Sequence, residues 1–153
     1  MNWKQSLNQI NEINMADGYD PPPPVSNVDE FVLLAKSAFG IIIPRAFTEF
    51  WTIQNGLEYD GHVFYGADVA LTHDGRSTET PLVDIGVISL NRAWGAVGEE
   101  NRYTYLGDSN LDWFVYEIES ERYLRLDKPS ADVIEVFEGF DEFFSSLLSG
   151  LAG

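Results

Sequence analysis

Apolar residues recur at helical spacing through the first third of the chain. They predict a first helix over residues 2–15, and a second that runs from the Ser26-Asn27 start to Gly40. Pro44 is expected in the first turn of a third helix, which Asn55-Gly56 is expected to end. Each predicted helix carries one apolar face, so all three should pack against a common core.

Four consecutive prolines, Pro21 to Pro24, separate the first two predicted helices. Proline fixes the backbone torsion φ and lacks an N–H donor, so this run should form an extended connector. Such a run is also a ligand for modules with aromatic grooves. A helix start follows immediately, which favours the interpretation as a stiff spacer.

Beyond residue 60 the apolar period changes to two, which is typical of strands. Residues 67–82 contain a His73-Asp74-Gly75-Arg76 cluster and predict a surface loop. Apolar residues at helical spacing return over residues 140–148, a closing helix. The order of helices, strands and closing helix predicts an α+β fold, with helices packed on a mainly antiparallel sheet, as one domain over residues 1–153. The predicted strands cover residues 62–66, 84–90, 103–107, 111–118, 122–127 and 132–137.

Charge changes this picture most. Lys and Arg total 9 against 25 Asp and Glu, for a net charge of −16. Such a surface repels nucleic acid and anionic membranes and attracts a basic protein. The alternative is that the charge serves solubility alone, and composition does not separate the two. No secretion signal or membrane-spanning apolar run is present, so we expect a cytoplasmic protein.

The sequence offers little for catalysis. Cysteine is absent, and His62 and His73 are the only histidines. No nucleophile elbow or phosphate-binding loop occurs, and no pair of carboxylates stands out, although a hydrolase that uses two acids remains an alternative. We therefore predict a protein without catalytic residues or a cofactor.

The segment from Asp108 to Glu119 places oxygen ligands at several positions of a calcium loop. However, Trp113 occupies the place where that loop needs glycine. Two interleaved apolar rows between residues 111 and 118 are instead typical of a strand buried on both faces, and a strand cannot curl around an ion. We predict a turn followed by a strand, and no metal site.

Five segments resemble the SUKH superfamily. The similarity consists of an apolar-Pro entry into an aromatic helix, a first strand, a Gly/Asp turn that enters a central strand, and a closing helix. The proline-rich opening resembles the YrhA-like branch. The segments are IIIPRAFTEFWTIQNG (41–56), VFYG (63–66), YLGDSNLDWFVY (105–116), FDEFFSSLL (140–148) and GYDPPPP (18–24).

This resemblance implies an α+β fold and a function in protein binding. Many bacterial members are immunity proteins that neutralise a cognate toxin by binding it, whereas others are scaffold or regulatory modules. Combined with the charge, the resemblance predicts an immunity protein whose partner is a basic toxin domain. We expect the contacts to come from polar residues in predicted loops. They are Glu58, Tyr59, Asp60, Glu99, Glu100, Asp108 and Asn110.

Overall fold

The computed structural model describes residues 2–68, 85–95 and 102–153, which form an α+β fold. Its helices in these ranges are α1 (Trp3–Ala16), α2 (Val28–Phe39), α3 (Arg45–Trp51), α4 (Val87–Gly95) and α5 (Phe140–Ala152). Its strands are β1 (Leu57–Tyr59), β2 (His62–Phe64), β3 (Tyr103–Asp108), β4 (Asp112–Glu117), β5 (Arg122–Asp127) and β6 (Val133–Phe137).

The strands form a single antiparallel sheet in which sequence neighbours pair, in the order β1-β2-β3-β4-β5-β6. The β1–β2 hairpin turns through Asp60 and Gly61, whose φ angles are 49° and 74°. Two positive φ angles define the tight turn that matches the twist of a hairpin. Because the sheet is open, β1 and β6 are its two edges.

One face of the sheet is covered by α1, α3 and α5, which meet it through aromatic side chains. Phe144 of α5 lies with its ring 5.3 Å from Trp3, 5.1 Å from Phe50 and 5.3 Å from Phe64. Most of these rings pack edge to face, as aromatic pairs prefer. Full burial of each large side chain contributes about 1.5–3 kcal/mol, so this layer holds the helices on the sheet.

The opposite face carries α4, and here one prediction was wrong. The alternating pattern of residues 84–90 predicted a strand, but Val87–Gly95 form a helix. The Asp68 carboxylate accepts hydrogen bonds from Ile88 N at 2.8 Å and Ser89 N at 3.1 Å. Asp68 thus caps the first turn of α4 from a distant point in the chain, a signal that a local pattern does not contain.

The loop predicted over residues 67–82 lies, apart from Ala67 and Asp68, outside the described residues. The other predicted helices and strands are confirmed within a few residues, and α3 needs one correction. It begins at Arg45, with Pro44 as its N-cap, and ends at Trp51 rather than at Asn55-Gly56. Asn55 instead donates to Ala67 O at 3.2 Å and accepts from Ala67 N at 2.6 Å. This tertiary pairing draws Asn55 away from a capping role.

The proline connector runs without helix or strand structure between α1 and α2, as the spacer interpretation predicted. Two backbone bonds tie it to the end of α3: Asn55 N donates to Pro23 O at 3.0 Å, and Val25 N donates to Trp51 O at 2.9 Å. The connector is therefore held in place beside β1.

The turn-then-strand prediction for residues 108–119 is confirmed, since β4 begins at Asp112 and buries Trp113 to Tyr116 on both faces. No helix in the described ranges is both long and apolar enough to cross a membrane.

Candidate functional site

A cleft of about 1,030 Å³ opens between two walls at the β1 edge of the sheet. One wall is the end of α1 with the proline connector, and the other is the β1–β2 hairpin. We call it the acidic cleft. Its lining residues are Asn11, Asn14, Asp17, Tyr19, Asp20, Pro21, Pro22, Pro23, Gln54, Leu57, Glu58, Tyr59, Asp60, Gly61, His62, Val63 and Ile85.

The floor of the acidic cleft contains two buried amides, Asn11 and Gln54. Asn11 Nδ2 donates to Gln54 Oε1 at 2.6 Å, and Gln54 Nε2 donates to Gly56 O at 2.9 Å. Asn11 is only 9% exposed, and its Oδ1 has no hydrogen-bond partner among the described residues. The floor is thus rigid but holds one buried acceptor without a donor.

Each wall carries two exposed carboxylates, and we call the four together the cleft acids: Asp17 and Asp20 on the connector side, Glu58 and Asp60 on the hairpin side. Among the described residues, the lining contains no Lys or Arg. None of the cleft acids takes part in an ion pair with another described residue. The described part of the acidic cleft therefore presents a negative potential.

The outer edge of β1 faces the same cleft. In the two-residue hairpin, Tyr59 and His62 form a hydrogen-bonded pair, so Glu58 directs its backbone N–H and C=O away from β2. Asn14 Nδ2 reaches Glu58 O from α1 at 3.4 Å. The edge of this short strand is thus partly covered by α1.

Three of the residues predicted to bind a partner, Glu58, Tyr59 and Asp60, lie together in the acidic cleft. They do not all belong to a loop, because Glu58 and Tyr59 lie in β1 and only Asp60 is in the turn. The prediction of a loop at this point was wrong. A strand of only three residues gives too few alternating positions to be recognised in the sequence.

The other predicted contact residues are dispersed. Asn110 is exposed in the β3–β4 turn. Asn110 lies beside the β1–β2 hairpin, since a Cβ added to Gly61 would be 3.9 Å from Asn110 Nδ2. Glu99 and Glu100 lie outside the described residues. Asp108, at the end of β3, is half-buried and bonded within the protein.

Asp108 belongs to a cluster of aromatic and charged side chains on the α4 face. Its carboxylate accepts a short hydrogen bond from the Tyr65 hydroxyl and pairs with Lys128 Nζ at 3.2 Å. Trp94 Nε1 donates to the Tyr65 hydroxyl at 2.8 Å, and Lys128 Nζ lies 4.9 Å from the centre of the Trp94 ring. Burial, and then the bond to Asp108, raise the pKa of Tyr65 far above its ordinary value. The cluster, which we call the Lys128 clasp, therefore uses Asp108 internally.

The sequence did not single out several residues of the cleft. Asp17, Tyr19 and Asp20 lie between the predicted first helix and the proline run, and the structure places all three in the cleft lining, with Tyr19 69% exposed. Asn11 lies in the first predicted helix, where only the apolar positions were recognisable from the sequence. Tyr19 stands between two acids and beside the proline run, and tyrosine is enriched among the residues that dominate binding at interfaces, so this is the signal that could have been used.

Within the described ranges, no three His, Asp or Glu side chains lie close enough together to hold a metal ion. Comparison with protein-family models and with curated proteins found no match for the chain.

Proposed function

We propose that this protein is a cytoplasmic immunity protein that neutralises a cognate bacterial toxin by binding a basic segment of it in the acidic cleft. The observation that carries the proposal is the set of four cleft acids, which no Lys or Arg accompanies among the lining residues that the structure describes. Binding alone blocks the toxin, and no catalytic step by this chain is required.

Electrostatics favours a basic partner. A chain with a net charge of −16 attracts a basic domain at long range, and the acidic cleft can then bind a basic segment of that domain. Tyr19, Tyr59 and the prolines add apolar surface between the carboxylates, and interface cores need both kinds of contact.

We propose an immunity function, and not protein binding in general, because the sequence resembles the SUKH superfamily. Four of the five motifs that carry this resemblance lie on α3, β2, the β3–β4 pair and α5. The alternative within the same resemblance is a scaffold or regulatory module, which would use the same cleft for an endogenous partner.

A hydrolase would place its carboxylates differently. Catalytic acids are tuned by burial or by a close charged neighbour, and they face each other across an enclosed cleft. The cleft acids are exposed side chains on the two walls. This arrangement suits recognition of a cationic group better than general acid catalysis.

Co-expression tests the proposal. Cells that produce the toxin domain encoded beside this gene should survive when they also produce the chain. The variant with Asp17→Asn, Asp20→Asn, Glu58→Gln and Asp60→Asn should lose this protection. Asparagine tolerates the left-handed conformation of residue 60, so the hairpin turn is retained. In purified form, this variant should associate with the toxin domain at least about tenfold more slowly at low salt, and salt should affect it less.

The matched control carries Glu30→Gln, Glu119→Gln, Asp132→Asn and Glu142→Gln. These residues are exposed, carry the same total charge and lie outside the acidic cleft. It should protect cells and bind as the natural chain does. Failure of the natural chain to protect against any toxin encoded beside its gene contradicts the immunity function, and capture of a housekeeping protein through the same cleft then favours the scaffold alternative.

A further inference from the structure

The edge strand β6, at the other side of the sheet from the acidic cleft, is apolar in sequence and yet exposed. Val133, Ile134 and Val136 are 50%, 44% and 41% exposed. By contrast, the apolar residues at the centres of β3, β4 and β5 are buried. Single exposed apolar residues are normal on a protein surface, whereas a group of them on one strand is typical of an interaction site.

The outer side of β6 also offers backbone hydrogen-bonding groups. Residues of an antiparallel strand alternate between those that bond to one neighbouring strand and those that face the other way. Asp127 N donates to Asp132 O at 2.8 Å, so every second residue of β5 from Asp127 faces β6. Leu124, which lies opposite Val136, therefore faces β4. Val136 directs its N–H and C=O outward, on the side where no described residue pairs with β6.

The common protections of an edge strand are largely absent from β6. Such strands are often blunted by Lys or Pro, by a bulge, or by cover from another element. β6 contains neither Lys nor Pro. Its bulge lies between Val133 and Glu135, where the register against β5 shifts, and residues 135–137 pair regularly. This regular part of the edge can accept a further strand.

Charge decides which strand can pair there. Asp132, Glu135 and Glu138 are exposed along this edge. Two of these acids contact an arginine of β5, at 3.3 Å and 3.9 Å, and ion pairs at the surface contribute little. A second copy of the chain brings the same acids and a net charge of −16, so two such edges repel each other. A strand that carries basic residues is attracted instead.

We propose that β6 is a docking edge for an extended, basic segment of a partner protein, which adds a strand to the sheet. The segment carries apolar residues opposite Ile134 and Val136 and a basic residue opposite Glu135. Backbone bonds to Val136 supply affinity, and the side chains opposite β6 supply specificity. Because β1 and β6 are opposite edges of the sheet, this surface is separate from the acidic cleft and does not depend on the immunity function.

The capped peptide Lys-Thr-Val-Lys-Val-Thr-Lys is a suitable probe, because it matches this edge in either direction with its central lysine opposite Glu135. One control peptide has Glu in place of every Lys. A second control carries N-methyl groups on both valines, which removes their N–H donors and keeps the charge.

The peptides are titrated into the ¹⁵N-labelled full chain at constant ionic strength. The lysine peptide should bind at least about tenfold more tightly than either control, because each control loses the charge attraction or the backbone bonds. The amide signals of β6 should shift. The Val136 amide should become protected from hydrogen exchange, since it gains a hydrogen-bond partner only in the complex.

Val136→Pro tests the same bonds from the side of this protein. Proline is tolerated on an edge strand where the N–H faces solvent, so the variant should fold, which circular dichroism checks. It should weaken binding of the lysine peptide at least about tenfold. The matched variant Val136→Thr keeps the N–H and the β-branched shape and should weaken it less than about threefold. Neutralisation of all four cleft acids should leave the affinity unchanged.

Several results would overturn the proposal. Equal affinity for the lysine peptide and its N-methyl form, or shifts confined to the acidic cleft, would mean that the peptide binds by charge alone. Equal affinity for the lysine and glutamate peptides would mean that the edge does not select a basic strand. Sedimentation of the chain alone tests a second copy, since a dimer that dissociates in Val136→Pro would assign the edge to self-association. If Val136→Pro fails to fold, the N-methyl peptide decides the question on the natural chain.

Discussion

Acids occur in two contrasting settings in this protein. Along β3 to β6 they are paired with bases: Lys128 lies 3.2 Å from Asp108, and Arg125 lies 3.2 Å from Asp112. At the other edge of the sheet, the four cleft acids have no basic partner among the described residues. We call the paired set the ladder acids, and they are Asp108, Asp112, Glu117, Glu135 and Glu138.

The difference shows that a count along the sequence does not locate the available charge. Residues 108–142 contain eleven acids and three bases, a composition that predicts a strong negative field from this part of the chain. All three bases, Arg122, Arg125 and Lys128, form ion pairs with ladder acids. The ladder acids are five of the eleven, and the other six form no ion pair with a described residue. A carboxylate committed to an ion pair is less able to recruit a partner, so the ladder acids are less suited to recognition than the cleft acids.

The largest effect is expected from truncation of Trp51, a residue that contacts both regions. Trp51 is fully buried. Its Nε1 donates to the backbone oxygen of Tyr65, a residue of the Lys128 clasp, at 2.9 Å. Its backbone carbonyl accepts a hydrogen bond from Val25 N, directly after the proline connector. Trp51→Ala should lower the free energy of unfolding by about 3–5 kcal/mol, as truncation of a large buried aromatic does. Urea denaturation followed by circular dichroism measures it.

Trp51→Phe is the matched control, since it keeps most of the buried volume and loses the indole N–H. It should cost clearly less than Trp51→Ala. Equal stability of Trp51→Ala and the natural chain would mean that this side chain does not support either region.

A smaller effect sharpens the contrast between the two kinds of acid. Lys128→Met removes the ammonium that Asp108 pairs with and leaves the half-buried carboxylate with Tyr65 alone. It should destabilise the protein by about 1–3 kcal/mol, because a partly buried charge loses its partner. Thermal unfolding measures the change. Binding of the toxin domain to the acidic cleft should be unaffected, and a change in that affinity would show that the two regions are coupled.

The smallest expected effect concerns the pH dependence of a ladder acid. A hydrogen bond from Ser120, and then the charges of Arg102 and Arg122, lower the pKa of Glu117 below its ordinary value. The folded state therefore favours the ionised carboxylate. Its contribution is present above the unfolded pKa and is lost as the pH falls through the folded one.

Glu117→Gln should accordingly reduce the stability at neutral pH by less than about 1 kcal/mol, as for other exposed networks. It should also flatten the loss of stability below about pH 4.5. Urea titrations between pH 3 and pH 7 measure both. Ser120→Ala should show the same trend more weakly. If the free energy of unfolding falls as steeply at acid pH in Glu117→Gln as in the natural chain, other carboxylates cause that loss.

The sequence by itself determined most of the elements. Periodic apolar positions on α1, α2 and α5, and the paired rows of β4 and β5, each identify a buried face within one segment. Such a face must be buried against the rest of the protein, so its period identifies the segment as a helix or a strand. The order of these helices and strands then indicates an α+β fold.

Tertiary structure alone decided the rest. Asp68 makes a helix of residues that alternate like a strand, because its carboxylate satisfies backbone donors 20 residues away in sequence at Ile88. The acidic cleft joins Asp17 and Asp20 to Glu58 and Asp60, which only packing of the connector on α3 brings together. Pairing of the ladder acids likewise follows from strand register. Long-range contacts of this kind leave no periodic trace in the sequence, and they decide which acids remain free to bind a partner.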